Sequence, residues 1–370
     1  MCFGCDVSCG VHDERNPMSK PTLDQVTELF DRIKRGVVTS EAIQALLNQS
    51  RWLDLTQRFR NVAVPIIDEC RDKNHWDSHF ANIVKGYMLI NEHDKALQLS
   101  QDITAPHLDV KAACLLEVIR HTAGFMNVKN ILDRYLWPVY EAAQGSTTMA
   151  EEKVYAAFVT ATAIANRYEK AMELLNARPH HTMFSVEAFI GLAECFAQKE
   201  WTDKIRELEQ KLTYRDTDTR FKLKVMIART SKDPKDFELL YDEVIQDRSD
   251  ERDVRCVALL EVLTLNPILQ GRPELEMIDR IPMSKWHTVK KSCLSYRYCK
   301  VYQHNLEALH AAAGIQDVLL RAKAYIHIAQ TTGFPENFDR ATEAVKAVVG
   351  SSRIEALSLL ALAAAKAARN

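Results

Sequence analysis

A short pattern recurs roughly every 35 residues along most of this chain, and a fixed period of that length leaves few folds open. Each instance sets a polar residue before an aromatic or other turn residue, with an apolar anchor two or three positions on. The first four are Arg51-Trp52-Leu53-Asp54-Leu55, Glu92-His93-Asp94-Lys95-Ala96, Asn130-Ile131-Leu132 and Arg167-Tyr168-Glu169-Lys170-Ala171. The pattern continues as Glu200-Trp201-Thr202-Asp203-Lys204-Ile205, Asp236-Phe237-Glu238-Leu239, Pro273-Glu274-Leu275, Asn305-Leu306-Glu307-Ala308 and Asn337-Phe338-Asp339-Arg340-Ala341. In a repeat array each unit buries its apolar face only against its neighbours, so the core grows along the axis and length does not count domains.

Two helix types alternate around this pattern. The first, type A, is expected over 78–90, 109–123, 150–166, 184–198, 218–229, 252–265, 288–302 and 318–331, with faces such as Val186, Phe189, Ile190 and Ala193. The second, type B, starts at each motif, where a polar residue near the turn is placed to cap it. Ala96, Ala171, Ala308 and Ala341 fall in the first turns of B helices, where two helices must approach closely. The expected fold is all-α: a right-handed α-solenoid of about nine helix-turn-helix repeats. Its parts are a flexible tail over 1–20, a helical hairpin over 21–50, the array over 51–350 and a capping helix over 351–370. In the hairpin, Thr22 caps a first helix and Thr39 or Ser40 a second, with Ile43, Leu46 and Leu47 on its apolar face.

The segment Phe80-Ala81-Asn82-Ile83-Val84-Lys85-Gly86-Tyr87, followed by Asp94-Lys95-Ala96-Leu97, resembles a unit of the tetratricopeptide-repeat superfamily and its pentatricopeptide relatives. Ala188-Phe189-Ile190-Gly191-Leu192-Ala193 is similar to another. The resemblance implies that A helices line a concave groove holding a peptide or protein segment, with Phe80, Asn82, Lys85, Gly86 and Tyr87 among the groove residues.

Bulk composition narrows the function classes. Basic and acidic residues nearly balance, 48 against 50, which speaks against a non-specific nucleic-acid binder. No apolar run is long enough to span a bilayer, and no secretory signal opens the chain, so a cytoplasmic protein without membrane contact is expected. Cys70, Cys114, Cys195, Cys256, Cys293 and Cys299 are scattered through helical patterns, which suits reduced, buried thiols.

Three clusters hold residue types suited to chemistry, each with a plainer structural account. Cys2, Cys5, Cys9 and His12 have the ligand types for a closed, structural zinc site; a solvated or acylated tail is the alternative. His75 and His79 stand four apart, but Trp76 and Asp77 replace the Glu of the zinc-hydrolase motif, so a structural pair is expected. Residues 284–305 hold Lys285, Lys290, Lys291, Arg297 and Lys300 without an acid, interleaved with Trp286, Tyr296, Tyr298 and Tyr302. Cations beside stacking rings suit a single-stranded nucleic acid, whereas an ordinary A helix with solvated lysines is the plainer account. No phosphate loop, nucleophile elbow or dinucleotide fingerprint appears, and no catalytic residues are assigned. The expected function is a non-enzymatic protein-interaction scaffold; the alternative is RNA or single-stranded nucleic-acid binding through 285–302. Leu357, Leu359, Leu360 and Leu362 spread around the last helix; packing on the preceding unit is the plainer account, and a homodimer or partner contact through it is the alternative.

Overall fold

The computed structural model describes residues 40–122, 128–145, 148–177, 185–212, 217–249, 251–266, 284–350 and 352–369, and all regular elements among them are helical. The chain divides into two compact units, Met1–Asp54 and Leu55–Asn370. In the first, the described residues are the opening turns of α1 (Ser40–Lys73), where Gln44 donates to Asn48 at 3.1 Å and Leu47 is exposed. The motif at Trp52 therefore does not begin a B helix. It lies inside one continuous 34-residue helix, because no glycine, proline or left-handed residue interrupts 40–60.

In the second unit the A helices are α2 (Phe80–Leu89), α4 (Leu108–Thr122), α7 (Thr148–Ile164), α9 (Ser185–Gln198), α11 (Thr217–Thr230) and α13 (Arg252–Leu265). They continue as α14 (Lys285–Cys299), α16 (Val318–Thr332) and α18 (Ser352–Arg369). Between them run α3 (His93–Asp102), α5 (Val128–Ile131), a π turn (Leu132–Leu136), α6 (Trp137–Ala143), α8 (Tyr168–Ala177) and α10 (Thr202–Lys211). The remaining B helices are α12 (Pro234–Gln246), α15 (Tyr302–Ala313) and α17 (Pro335–Lys346). The motif at Pro273 lies outside the described residues.

The recurring motif is explained by how A helices end. Asn91, Asn166, Glu200, Lys300 and Gly333 all take left-handed φ near +60° just after an A helix. After the first three the next residue donates back across the turn, Glu92 N to Tyr87 O (2.9 Å), Arg167 N to Thr162 O (3.1 Å) and Trp201 N to Phe196 O (3.0 Å), whereas Lys300 N and Gly333 N themselves donate to Tyr296 O (2.7 Å) and Ala329 O (2.8 Å). These bonds satisfy carbonyls that a helix end leaves bare. Side-chain caps at B helices are fewer than expected: Asp233 caps α12, whereas Glu92, Trp201, Val301 and Phe334 make no such bond. Helix α14 starts three residues before the expected 288 because Ser284 caps it through His287 N, and left-handed Lys300 stops it.

The anchors of the B motifs, Ala96, Ala171, Ala308 and Ala341, are all fully buried. Phe59, Phe80, Phe189, Phe196, Phe237 and Phe338 fill the space between layers. Each contributes on the order of 2–3 kcal/mol by leaving water.

Consecutive A helices pack side by side in chain order, and the series then returns to its start: α18 packs on α16 on one side and on α2 on the other. One apolar cluster accordingly joins residues of 55–161 to residues of 322–367. Asn82 of α2 donates to Ser358 of α18 at 3.4 Å, and Arg58 of α1 pairs with Asp339 of α17 at 2.8 Å. The final helix is thus a shared wall between α2 and α16. Its Leu360 and Leu362 are buried and its Leu357 and Leu359 half-buried within the chain, so the apolar surface suggested for a dimer is taken up internally.

Candidate functional site

One face of three consecutive A helices forms a cleft of about 370 Å³. Asp109, Ala113, Leu116 and Arg120 lie at i, i+4, i+7 and i+11 on α4; Lys153, Ala156, Ala157 and Thr160 follow on α7, and Glu187, Ile190, Gly191 and Glu194 on α9. The spacing puts each set on one stripe of its helix. The floor is made of small and aliphatic side chains because the helices approach closely. A Cβ added at Gly191 would stand 2.0 Å from Thr160 Oγ1.

The walls carry paired charges of both signs. Lys153 lies 3.6 Å from Asp109, and Arg120 bridges Glu117 (2.8 Å) and Glu194 (3.0 Å). Glu117 is buried and also receives Lys85 of α2 at 3.0 Å. Burial opposes its ionisation, but Lys85, Arg120 and His121 outweigh that and hold the carboxyl below the usual range. His121 is pushed down by burial, against the pull of Glu117; its Nδ1 lies 2.8 Å from Glu117 O, so that nitrogen donates. Further along the same layer, Lys366 of α18 is half-buried, and burial followed by the charge of Lys85 lowers its pKa, with Glu117 opposing. His327 of α16 is held at about 4 by burial, with Lys290 and Lys366 adding.

The residues expected to bind are only partly brought here. Phe80 and Tyr87 are core: Phe80 meets Trp76 edge-on at 4.8 Å and Tyr87 meets Phe59 at 4.9 Å. A Cβ on Gly86 would sit 2.3 Å from the Phe59 ring, so this position serves close packing. Asn82 and Lys85 do reach the interior layer, through Ser358 and Glu117.

Several of the basic and aromatic residues of α14 are engaged by neighbours within the chain. Lys285 donates to Gly314 O at 2.6 Å, Lys290 lies over the Trp286 ring at 5.0 Å, and Trp286 faces His327 at 6.3 Å. Tyr296 meets Phe334 edge-on at 6.2 Å, whereas Arg297 and Tyr298 stack on each other at the exposed end, at 5.6 Å. Lys291 is half-buried and Lys300 is the left-handed stop of the helix.

Cys2, Cys5, Cys9 and His12 lie outside the described residues. Among the described residues no group of three or more His, Cys, Asp or Glu is placed to hold a metal. His75 and His79 do not share a helical face, since they sit in the connection between α1 and α2. Cys70, Cys114, Cys195, Cys256 and Cys293 are buried free thiols; burial pushes Cys70 and Cys195 up to about 11 and Cys293 to about 12, which makes them poor nucleophiles. No described helix is long and apolar enough to cross a membrane.

Sequence reasoning passed over Glu117, Arg120, Glu194 and Lys366. Their signal was a charge inside an otherwise apolar run: Leu115-Leu116-Glu117-Val118-Ile119, and Ala363-Ala364-Ala365-Lys366-Ala367. Compared with known proteins, the chain matches no protein-family model, no curated protein and no solved structure.

Proposed function

We propose that this protein is a non-enzymatic interaction scaffold of tetratricopeptide-like helical repeats, and that it holds a peptide or protein segment across α4, α7 and α9. The supporting observation is the cleft itself: an apolar floor of Ala113, Leu116, Ala156, Ala157 and Ile190 beneath walls of alternating sign. A polypeptide supplies both partners for such a lining, with apolar side chains for the floor and charged or amide groups for Asp109, Lys153 and Glu187. A nucleic acid fits it less well, because Asp109, Glu187 and Glu194 would face its phosphates. The engagement of Lys285, Trp286, Lys290 and Tyr296 within the chain favours the same choice.

Photo-crosslinking residues placed at Leu116 and at Ile190, with a third at exposed Leu239 as control, test this reading in cells. Polypeptide adducts at the two cleft positions, absent at Leu239 and lost when Ala113→Arg blocks the floor, are expected. Adducts of nucleic acid at the cleft, or polypeptide adducts equal at all three positions, would overturn it.

A further inference from the structure

The nine A helices among the described residues pack in an unbroken cycle: each meets the next in chain order from α2 to α18, and the joint between α18 and α2 closes it. No A helix packs on another across the cycle, and the B helices of successive connections do not pack on one another. Touching A helices and separated B helices describe an inner and an outer circle. One ion pair shows the same curvature. Arg120 of α4 meets Glu194 of α9 at 3.0 Å, although α7 runs between these helices and they do not pack on each other. Their side chains converge over the face of α7 that carries Ala156, Ala157 and Thr160, so this is the concave face and the cleft lies on the inside. Nine axes about 8–10 Å apart close into a circle roughly 23–29 Å across, which leaves an opening of roughly 13–19 Å inside the helices' own width.

We propose that the unit Leu55–Asn370 is a closed ring whose lumen contains the cleft, and that its partner enters end-on, as an extended polypeptide with a free terminus. The occupant rests on the peptide reading above, whereas the enclosure rests on helix packing alone. An opening of this width admits an extended chain or a single helix, which is about 10–12 Å across with its side chains. It refuses a folded domain, since even about 100 residues have a radius of gyration of about 13 Å. The lining suits a chain of mixed character. Lys85 with Glu117 (3.0 Å) and Lys153 with Asp109 (3.6 Å) offer both signs of charge beside the apolar floor of Ala113 and Leu116. Enclosure therefore adds a selection that an open groove lacks: a segment flanked by folded domains on both sides cannot reach the floor.

Thiol labelling of the full chain by maleimides of two shapes tests the enclosure. On a background with Cys2, Cys5, Cys9 and Cys299 replaced by serine, Ile190→Cys puts a thiol in the cleft and Leu239→Cys one on an exposed position of α12. A linear polyethylene-glycol maleimide, standing in for a chain end, is expected to reach both. The same maleimide carried on a small folded protein should label Leu239→Cys freely and Ile190→Cys more slowly, on the order of tenfold or more. Opening the ring should relieve that exclusion, although α18 lends no residue to the cleft. Truncation after residue 350 opens it outright, and Ser358→Arg opens it by forcing a charge into the joint while keeping the helix. Each should raise the rate of the globular reagent at Ile190→Cys toward that at Leu239→Cys. Equal access of the globular reagent in the intact chain overturns the proposal. So does exclusion that persists in either variant once the amides of α2 exchange freely, because the cleft alone would then be the barrier. Exclusion together with nucleic-acid adducts at Leu116 and Ile190 would overturn the occupant and uphold the ring.

Discussion

His327 is the histidine, among those described, whose chemistry departs furthest from its free state. Its ring faces Trp286, and burial with the charges of Lys290 and Lys366 holds it at about 4, against an ordinary value of 6.5. Its folded pKa is depressed, so the unfolded chain takes up the proton first as pH falls below about 6.5. Its stabilising effect is therefore complete above that pH and is lost progressively between about 6.5 and 4. At pH 5 the loss amounts to about 2 kcal/mol. His327→Gln should flatten this part of a denaturant-midpoint profile measured from pH 7 to pH 4.5. His121 and His287 are depressed in the same direction, chiefly by burial, so a residual slope from them is expected. A variant as acid-sensitive as the parent would show that His327 is charged in the folded state.

Individual helices were legible in the sequence because apolar periodicity and close-packed alanines are local facts. The A helices over Thr148–Ile164, Ser185–Gln198 and Val318–Thr332 fall within two residues of where their spacing put them. The continuation of α1 through Trp52 was misread because a polar-aromatic pair there looks like the later turns, yet lacks the left-handed residue that makes Asn91 or Asn166 a turn. The site was less legible, since Phe80 and Tyr87 share a segment with Lys85 but not its face, and a lone sequence gives each helix no azimuth relative to its neighbour. Gly191 shows what that azimuth demands. Gly191→Ala should destabilise the chain by about 1–2 kcal/mol, the overpacking cost outweighing the gain in helix propensity. Thr160→Ala should cost less on that background than on the parent, because it removes the oxygen 2.0 Å from the new methyl. Urea midpoints of the four chains decide it; additive effects would mean that α7 and α9 yield freely.

At the scale of the whole molecule, the return of α18 onto α2 distinguishes this chain from an array whose two ends are independent. Truncation after residue 350 should therefore reach beyond the helices next to it in sequence. Amide exchange is expected to quicken in both Val318–Thr332 and Phe80–Leu89, although the latter lies far from the cut in sequence. Faster exchange confined to α16 and α17 would show that the joint contributes nothing. The same joint has a consequence in time. Asn82 and Ser358 are 276 residues apart, and at about 5–20 residues per second a ribosome needs roughly 15–60 s to pass from one to the other. Throughout that interval α2 exists with one flank uncovered, waiting for a helix not yet translated. The nascent chain is thus most exposed to aggregation at its oldest end, and chaperone protection matters there longer than anywhere else.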